Sequence, residues 1–312
     1  MANEGARVLV TGANGHLGRR LIRRLARDDA PAFRVRAMVR SKRAAAALRE
    51  LPEATRIEIA VVDYRNSEQF ARAAYGCCHA VHLTGIIKET RSNRYADAHE
   101  ATCLALARAS AAAGLERTVY LSILGSDPAS ENACLASKGR AEQILLDAQT
   151  PAVILRVPMV LGPGDATARV VKAEACARLL PLLGGGRMRT QPIFAEDVVE
   201  AIIAALTRPG VCDVALDLAG PEPLPQREFV ARAARLYGRR PRVIPIPLAL
   251  ARGLALLAER LFANPPLTRA MLGVLCRDDC VDTEPTCKRL GIELTSLDEL
   301  LRKCIGPEST LA

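Results

Sequence analysis

The chain has 312 residues, of which 50% are hydrophobic and 3% aromatic, and its formal net charge is +9. This length and apolar content are enough to bury a full core, so we expect a soluble globule. The opening "MANEGARVLV" lacks the apolar stretch of a signal peptide, which favours the cytoplasm. The charge comes from arginines on helical faces without interleaved aromatic residues, so we expect no nucleic-acid partner.

Short runs rich in β-branched residues alternate with helical patterns through the first half of the chain. This alternation is typical of an α/β fold with a parallel sheet and crossover helices. In the first crossover, Leu17, Leu21, Ile22 and Leu25 lie on one face of a helix. The predicted strands are 7–10, 35–39, 57–62, 80–83, 118–121, 152–157 and, later, 214–219.

The loop after the first strand, "TGANGHLG", carries the strongest functional signal. Its three glycines recur at three-residue intervals between a strand and an amphipathic helix, where backbone N–H groups can approach a pyrophosphate. The spacing differs from the GxGxxG of ordinary dinucleotide-binding folds and lacks the GK[ST] of a P-loop. The predicted dinucleotide contacts here are Thr11, Gly12, Asn14, Gly15, His16, Leu17 and Gly18.

The second strand ends in "VRSKR", which bears on the choice of dinucleotide. An acidic residue there would bind the ribose 2′-hydroxyl of NAD(H), whereas Arg40, Ser41 and Lys42 suit the 2′-phosphate of NADP(H). We therefore expect NADP(H), and we expect Arg43 to be a solvated charge at the start of a helix.

Two further strand ends supply candidate contacts to the adenosine half. Asp63 and Tyr64 follow the third strand, where a carboxylate can accept a hydrogen bond from the adenine amino group. Thr84 and Gly85 follow the fourth, where a small residue leaves room beside the ribose. We expect all four to contact the cofactor.

Beyond Pro158 the pattern becomes less regular and then mostly helical. We expect a dinucleotide-binding domain over 1–222, with 167–193 contributing to a substrate lobe that continues over 223–312. The segment "PLALARGLALLAERLF" is too short and too charged to span a membrane. Its stripe of Leu250, Leu254, Leu257 and Leu261 favours a core or partner face over an interfacial anchor.

The ten cysteines are scattered along the chain, with a vicinal pair at Cys77 and Cys78. Reduced thiols are therefore expected rather than a disulfide framework. The closest approach to metal-ligand spacing is "CRDDC", followed by Cys287 and Cys304, which lacks paired CxxC spacing and a nearby histidine. We expect no metal.

At these residues the chain resembles the short-chain dehydrogenase/reductase superfamily, in its extended and atypical branch. The segments "TGANGHLG", "VVDYRN", "VYLSILGSD", "SKGRAE", "ILRVPMVLGPGD" and "PIFAEDVVEAI" occur in family order. They are most similar to the group that contains the NAD(P)H-binding accessory subunit of respiratory complex I and related bacterial reductases. The resemblance implies a doubly wound Rossmann sheet of order 3-2-1-4-5-6-7 with a small, mostly helical C-terminal lobe.

Active members of this family combine a serine, a tyrosine and a lysine four residues after the tyrosine. The resemblance assigns these positions to Ser122, Cys134 and Lys138, so a cysteine replaces the tyrosine. It also implies that Ser122 and Lys138 contact the cofactor and that Pro158, Met159 and Val160 pack on the nicotinamide.

Three routes for the proton stay open at this point. The Cys134 thiol could donate it, Lys138 could act alone as in isoflavone-reductase-like relatives, or proton transfer could be lost. Two functions follow from these routes. One is an NADPH-dependent reductase of a carbonyl or conjugated double bond in a small apolar substrate. The other is a non-catalytic NADPH-binding subunit of a larger complex. The partners of the chain also stay open, since it could form a homo-oligomer instead of joining a larger complex.

Overall fold

The computed structural model describes residues 5–27, 33–64, 66–90, 93–262 and 264–307. Its strands are β1 (Arg7–Thr11), β2 (Arg34–Val39), β3 (Ile57–Val61), β4 (His79–His82), β5 (Arg117–Ile123), β6 (Ala152–Val157), β7 (Val160–Leu161), β8 (Leu179–Leu183), β9 (Arg189–Thr190), β10 (Ile193–Phe194), β11 (Val214–Asp217), β12 (Leu224–Pro225) and β13 (Arg242–Ile246). Its helices are α1 (His16–Leu25), α2 (Lys42–Arg49), α3 (Ser67–Ala74), α4 (Thr102–Ala113), α5 (Ala133–Leu146), α6 (Ala166–Cys176), α7 (Ala195–Thr207), α8 (Gln226–Arg235), α9 (Leu248–Leu261), α10 (Arg269–Leu275), α11 (Glu284–Leu290) and α12 (Leu297–Ile305).

Within these ranges the central sheet has seven strands in the order β11-β6-β5-β4-β1-β2-β3, with every neighbouring pair parallel. This confirms the predicted order 3-2-1-4-5-6-7, because β11 is the seventh predicted run. The chain reverses direction across the sheet between β1 and β4. Ligands of open α/β sheets bind in the crevice at the carboxyl ends of the strands beside such a switch point.

Helices cover both faces of the sheet, as its strands, apolar on both sides, require. On one face, Leu21 and Ile22 of α1 pack in the same buried cluster as Val198 and Ile202 of α7. On the other face, Phe70 of α3 lies in a second cluster with residues of α4 and α5. The functional side chains described below stand at the carboxyl edge of this two-sided core.

A separate apolar cluster joins the middle of the chain to its C-terminal part. It combines Val171 of α6, Leu182 of β8, Phe229 of α8 and Leu301 of α12. Strands β8 and β13 pair in parallel, which ties the stretch before β11 to the stretch after it. In contrast, Leu290 of α11 is buried in the cluster beneath α1 and α7. The predicted domain boundary at residue 222 stays a prediction.

Of the two alternatives expected for the leucine stripe of α9, a core or a partner face, the structure contradicts the core. Leu250, Leu254, Leu257 and Leu261 are 55%, 55%, 53% and 68% exposed, so the interpretation of these residues as core is wrong. The helix packs inward through its small residues, Ala251 and Ala255. Because alanine and leucine stripes have the same helical period, the sequence pattern did not show which one faced the protein. No helix in the described ranges combines the length and apolarity needed to cross a bilayer.

Candidate functional site

The glycine-rich loop forms a tight turn from β1 into α1. Gly12 has φ of +66°, which side chains with a Cβ rarely adopt. A Cβ on Gly18 would lie 2.6 Å from the Gly12 carbonyl oxygen and 2.7 Å from that of Ala13, so only glycine lets the helix start this close to the turn. Helix α1 begins at Gly15 without a side-chain cap, and Asn14, Gly15 and His16 are exposed. The loop thus presents backbone N–H groups at a helix N-terminus, as a pyrophosphate requires.

Tyr64 supports this loop from below. Its buried hydroxyl accepts a hydrogen bond from Gly12 N at 3.1 Å and donates one to the Met38 carbonyl at 2.8 Å. Burial raises the pKa of Tyr64, so the phenol stays protonated and can do both. Tyr64 was expected to contact the cofactor, but its hydroxyl bonds to the backbone of β2 and of the glycine loop, because the end of β3 lies beneath that loop.

A chain of buried polar side chains runs under the strand ends. Thr84 donates to the Thr11 hydroxyl at 3.2 Å, Thr11 lies 2.7 Å from Nδ1 of His82, and Nε2 of His82 lies 3.2 Å from the hydroxyl of Thr102. Burial, assisted by the Lys138 charge, lowers the pKa of His82 to about 3, so the ring is neutral. The predicted contacts Thr11 and Thr84 therefore lie together, and their hydroxyls link β1 to β4. Sequence reasoning missed His82 and Thr102, although a histidine within an apolar strand was a usable signal.

A cavity of about 400 Å³ opens beside these strand ends. Arg40 and Asp63 line it together with Tyr64 and Thr84. Arg40 and Lys42 are exposed, while the Ser41 hydroxyl accepts a hydrogen bond from Ala44 N at 3.2 Å and caps α2. The remaining residues around the cavity are Thr90, Asn93, Asp97, Ala98 and Thr102. An arginine and an aspartate at the mouth of one cavity fit the adenosine part of a dinucleotide.

The narrow glycine turn, the uncapped start of α1 and this cavity together fit a bound dinucleotide. The chain matches a family described as NAD(P)H-binding over residues 12–209, which span the glycine loop and the sheet as far as α7. The chain belongs to this NAD(P)H-binding family.

Similar proteins include reductases and respiratory-chain subunits. The ceramide reductase of Caulobacter vibrioides is 30% identical over 77% of this chain and 73% of its own length. The mitochondrial NADH dehydrogenase [ubiquinone] 1 alpha subcomplex subunit 9 of Arabidopsis thaliana is 29% identical over 79% of this chain, which spans 61% of that relative. A UDP-glucuronic acid 4-epimerase from Bacillus cereus in complex with NAD shares the fold, with a TM-score of 0.75, 16% identity and coverage of 96% of this chain and 97% of that one.

Lys138 of α5 lies beside the carboxyl ends of β4 and β5. Its side chain is 6% exposed, and its ammonium donates to the Leu121 carbonyl at 3.0 Å and stands 4.5 Å from the centroid of the Tyr120 ring. Burial lowers the pKa of Lys138 from 10.5 to about 8. A Cβ on the exposed Gly85 would lie 3.1 Å from Nζ, so this glycine leaves an opening between the ammonium and the crevice.

The tight packing of α5 positions Lys138. A Cβ on Gly139 would lie 2.3 Å from Pro128 N, so the helix lies directly against the loop that follows β5. The helix begins at Asn132, whose side-chain oxygen accepts hydrogen bonds from Cys134 N at 3.0 Å and Leu135 N at 3.3 Å. The cap and the glycine together fix Lys138 one turn after Cys134, on the same side of the helix.

Cys134 lies in the interior rather than facing the crevice. Its side chain is 1% exposed, and its thiol points to the Ile86 carbonyl, with 3.8 Å between Sγ and the oxygen. Burial raises the pKa of this thiol, which therefore stays protonated at neutral pH. The cysteine is adjacent to Lys138 in space, as the helical spacing predicts, but its environment does not activate it as an acid.

Tyr95 and His99, which the sequence analysis did not single out, lie near Cys134 and Lys138. Tyr95 donates to the Ile87 carbonyl at 2.6 Å and stacks on His99, with 5.6 Å between ring centroids. Burial raises the pKa of Tyr95 and, with the Lys138 charge, lowers that of His99 to about 3. His99 belongs to a π-helical turn, Ala96–Ala101, that leads into α4. A π-turn often marks a functional site, but it leaves no clear pattern in a single sequence.

Ser122 does not face Cys134 or Lys138. Its hydroxyl donates to the carboxylate of Glu142 and lies 3.1 Å from that of Ser126. Glu142 is 2% exposed and pairs with Arg156, with Nε 2.9 Å from Oε2. The expected role of Ser122 as a catalytic and cofactor-binding hydroxyl stays a prediction; in this structure its hydroxyl is held by the buried carboxylate of Glu142.

The other candidates lie where β6 leaves the sheet. Pro158, Met159 and Val160 are half-buried, and the Met159 carbonyl accepts a hydrogen bond from Ile193 N at 3.0 Å. Their packing on the nicotinamide stays a prediction.

Asp197, at the start of α7, has a structural role in this fold. It accepts hydrogen bonds from the backbone N–H and the hydroxyl of Thr295, both at 2.8 Å.

A second cavity, of about 660 Å³, lies between the start of α5 and the end of α9. Tyr95 and Ala133 line it near Cys134, and Leu261 and Phe262 line it from the C-terminal part of the chain. Its wall also includes the charged side chains of Glu89, Arg94, Glu131, Glu259, Arg260 and Arg269. Thr90 borders both this cavity and the one at the strand ends. The two spaces are therefore neighbours at Thr90.

Proposed function

We propose that this chain is an NADPH-dependent reductase that acts on a carbonyl or conjugated double bond of an apolar substrate. The observation that carries the proposal is Lys138, a buried ammonium with its pKa lowered to about 8 by burial, which lies next to the exposed Gly85 beyond the end of β4. A proton donor works best when its pKa lies near the working pH. Structural lysines are seldom buried without a carboxylate partner.

The protein's own groups then have simple tasks in this reaction. The reduced nicotinamide, when bound, supplies a hydride. Lys138 holds a proton at Nζ and passes it to the substrate as the hydride arrives, so the substrate gains two hydrogens. The neutral rings of His82 and His99 surround the ammonium without neutralising it.

The cavity of about 660 Å³ suits the substrate in this proposal. It adjoins the start of α5 at Ala133, and its wall includes Leu261 and Phe262. Its volume falls in the range of small-molecule sites. A relative named as a reductase of ceramide makes a substrate with a long apolar part reasonable.

We propose NADPH rather than NADH because of the residues that follow β2. Arg40 and Lys42 are exposed at the N-terminus of α2, and Arg40 lines the cavity of about 400 Å³. A guanidinium can grip a 2′-phosphate through two hydrogen bonds. The Ser41 hydroxyl caps α2 and therefore contributes less to this preference.

The alternative is a nucleotide-binding subunit without catalysis, which the Cys134 position favours. The thiol is buried and its pKa is raised by burial, and the Tyr95 hydroxyl is bonded to backbone, so neither replaces the missing tyrosine. A bound nucleotide would then stabilise the fold by mass action. The similar Arabidopsis protein is named as a subunit of NADH dehydrogenase.

Two measurements test the proposal. Titration calorimetry with NADPH and NADH should show that Arg40→Asp lowers the preference for NADPH by roughly tenfold or more, since a hydrogen bond to a charged group contributes about 1.5–3 kcal/mol. The matched variant Arg43→Asp carries the same charge change three residues later and should alter the preference much less. Equal affinities of the wild-type chain for both nucleotides would contradict the NADPH assignment.

Turnover decides between the two functions. NADPH consumption should appear with some member of a panel of long-chain ketones, enones, quinones and aldehydes, and Lys138→Met should abolish it while NADPH still binds. Full turnover by Lys138→Met would place the proton donor elsewhere. NADPH binding without turnover of any panel member, together with co-purification in a larger assembly, would support the subunit.

A further inference from the structure

Helix α9 presents an apolar stripe to solvent. Leu250, Leu254, Leu257 and Leu261 recur at spacings of four, three and four, so their side chains form one row along the 14-residue helix. All four are more than half exposed, and Phe262, which directly follows, is 58% exposed. Single exposed leucines are ordinary on protein surfaces, but a continuous row of them marks an interaction site.

The charges of α9 complement an anionic surface. Arg260 is exposed on the flank of the leucine row, and within the described residues it forms no ion pair, whereas the exposed Arg252 lies on the opposite side of the helix from that row. The acidic residue of the helix, Glu259, is occupied by Arg269, at 2.9 Å between Nε and Oε2. The helix therefore offers an apolar row with unneutralised positive charge, the combination by which amphipathic helices bind the surface of anionic bilayers.

The stripe is continuous with the mouth of the second cavity. Leu261 and Phe262 end the stripe and also line the space of about 660 Å³, which Tyr95 and Ala133 line as well. The cavity wall also carries charged side chains, such as Glu131 and Arg260, so a lipid with a polar head and an apolar chain would find partners for both parts there. A face that bound only another protein would not need this connection to an internal cavity.

We infer that α9 docks the protein on the surface of an anionic phospholipid bilayer, lying in the interface without spanning it. Leu250, Leu254, Leu257 and Leu261 enter the boundary between headgroups and acyl chains, and Arg260, on the flank of this row, contacts lipid phosphates. The docking itself does not depend on the reductase function. Its consequence does: if the chain is a reductase, its substrate is a membrane lipid that enters through the cavity beside α9.

The absence of tryptophan from the chain provides a direct test. The variant Leu257→Trp has a single tryptophan on the stripe, and its emission should shift to the blue and be quenched by brominated lipid in phosphatidylcholine–phosphatidylglycerol vesicles. The matched variant Val170→Trp replaces a side chain of similar exposure, 57%, on α6 and should respond to neither. Binding should weaken on pure phosphatidylcholine and at high salt.

A second pair of variants shows that the leucines are responsible. Leu250→Glu with Leu254→Glu should reduce vesicle flotation about tenfold or more, whereas Val170→Glu with Leu104→Glu, also two exposed apolar residues, should not. NADPH affinity should be unchanged in both, which verifies folding and keeps this test separate from that of the reductase.

Three results would overturn the inference. One is undiminished flotation of Leu250→Glu with Leu254→Glu. Another is equal binding to neutral and anionic vesicles. The third is a dimer in light scattering that these substitutions dissociate while the wild-type chain ignores vesicles, because the stripe would then bind a second copy of the chain.

Discussion

Replacing Lys138 with methionine should make the folded chain more stable at neutral pH, although the proposed function requires this lysine. Burial lowers the pKa of Lys138 from 10.5 to about 8. At about 1.36 kcal/mol per pKa unit, this difference corresponds to about 3 kcal/mol by which the folded state disfavours the ammonium. Methionine has similar length and no charge, and it loses the hydrogen bond to Leu121, which contributes about 1 kcal/mol. The net gain in unfolding free energy should be about 2 kcal/mol at pH 7.

The pH dependence gives this prediction its specificity. Between pH of about 8 and 10.5 the unfolded chain keeps the Lys138 proton while the folded chain has released it. The wild-type protein therefore gains stability from this group as the pH rises through that window, whereas below pH 8 the full penalty applies. The advantage of Lys138→Met should be largest at pH 7, shrink above pH 8, reach zero near pH of about 10 and turn into a small disadvantage above that pH.

Urea denaturation of both proteins between pH 7 and pH 10 measures this difference. The control is Lys288→Met, which removes an exposed lysine paired with Glu284 on α11 and should give no gain at pH 7. The reasoning fails if Lys138→Met is less stable than the wild type at pH 7. It also fails if the difference between the two proteins is the same at pH 7 and pH 10, because burial of the ammonium would then have no energetic cost.

Two further substitutions test the supports of the site. Gly18→Ala should lower the unfolding free energy by about 1–3 kcal/mol in urea denaturation and weaken NADPH binding, because the new Cβ would lie 2.6 Å from the Gly12 carbonyl oxygen. The control is Gly253→Ala on α9, where a Cβ would meet open space, so this variant should be as stable as the wild type or more stable. Glu142→Ala should lower the thermal midpoint and cost about 1–3 kcal/mol, because Ser122 loses its acceptor and Arg156 keeps only its longer contact with Asp217. The exposed Glu284→Ala should cost under about 0.5 kcal/mol, and equal losses would contradict the assigned burial of Glu142.

The sheet could be predicted from the sequence because its signals are local. Each strand is a short β-branched run between turns or helices, and the predicted runs match the observed strands within two residues at each end. The glycine loop is equally local, since the spacing of Gly12, Gly15 and Gly18 already implies close contact between turn and helix. The strand order came instead from the family resemblance.

The direction of individual side chains could not be predicted in the same way. Tyr64 follows β3, but its hydroxyl bonds to Gly12 N because the twist of the sheet brings this strand end under the loop, 52 positions earlier in the chain. Ser122 is held by Glu142, 20 positions away on α5. A glutamate on the apolar side of a helix was the one visible sign of that buried pair.

The cysteine at the position of the usual tyrosine leaves one plausible route for a proton. Burial raises the pKa of the Cys134 thiol, which lies against the Ile86 carbonyl and is 1% exposed, so it neither loses its proton near neutral pH nor reaches the crevice. The same burial acts in the opposite sense on Lys138, because a buried cation is destabilised by losing solvent whereas a buried thiol is stabilised relative to its anion. One environment therefore inactivates the cysteine and brings the lysine, with a pKa of about 8, into the range where it can exchange a proton. For the proposed reductase, we therefore propose that the proton passes through Lys138, which lies next to Gly85.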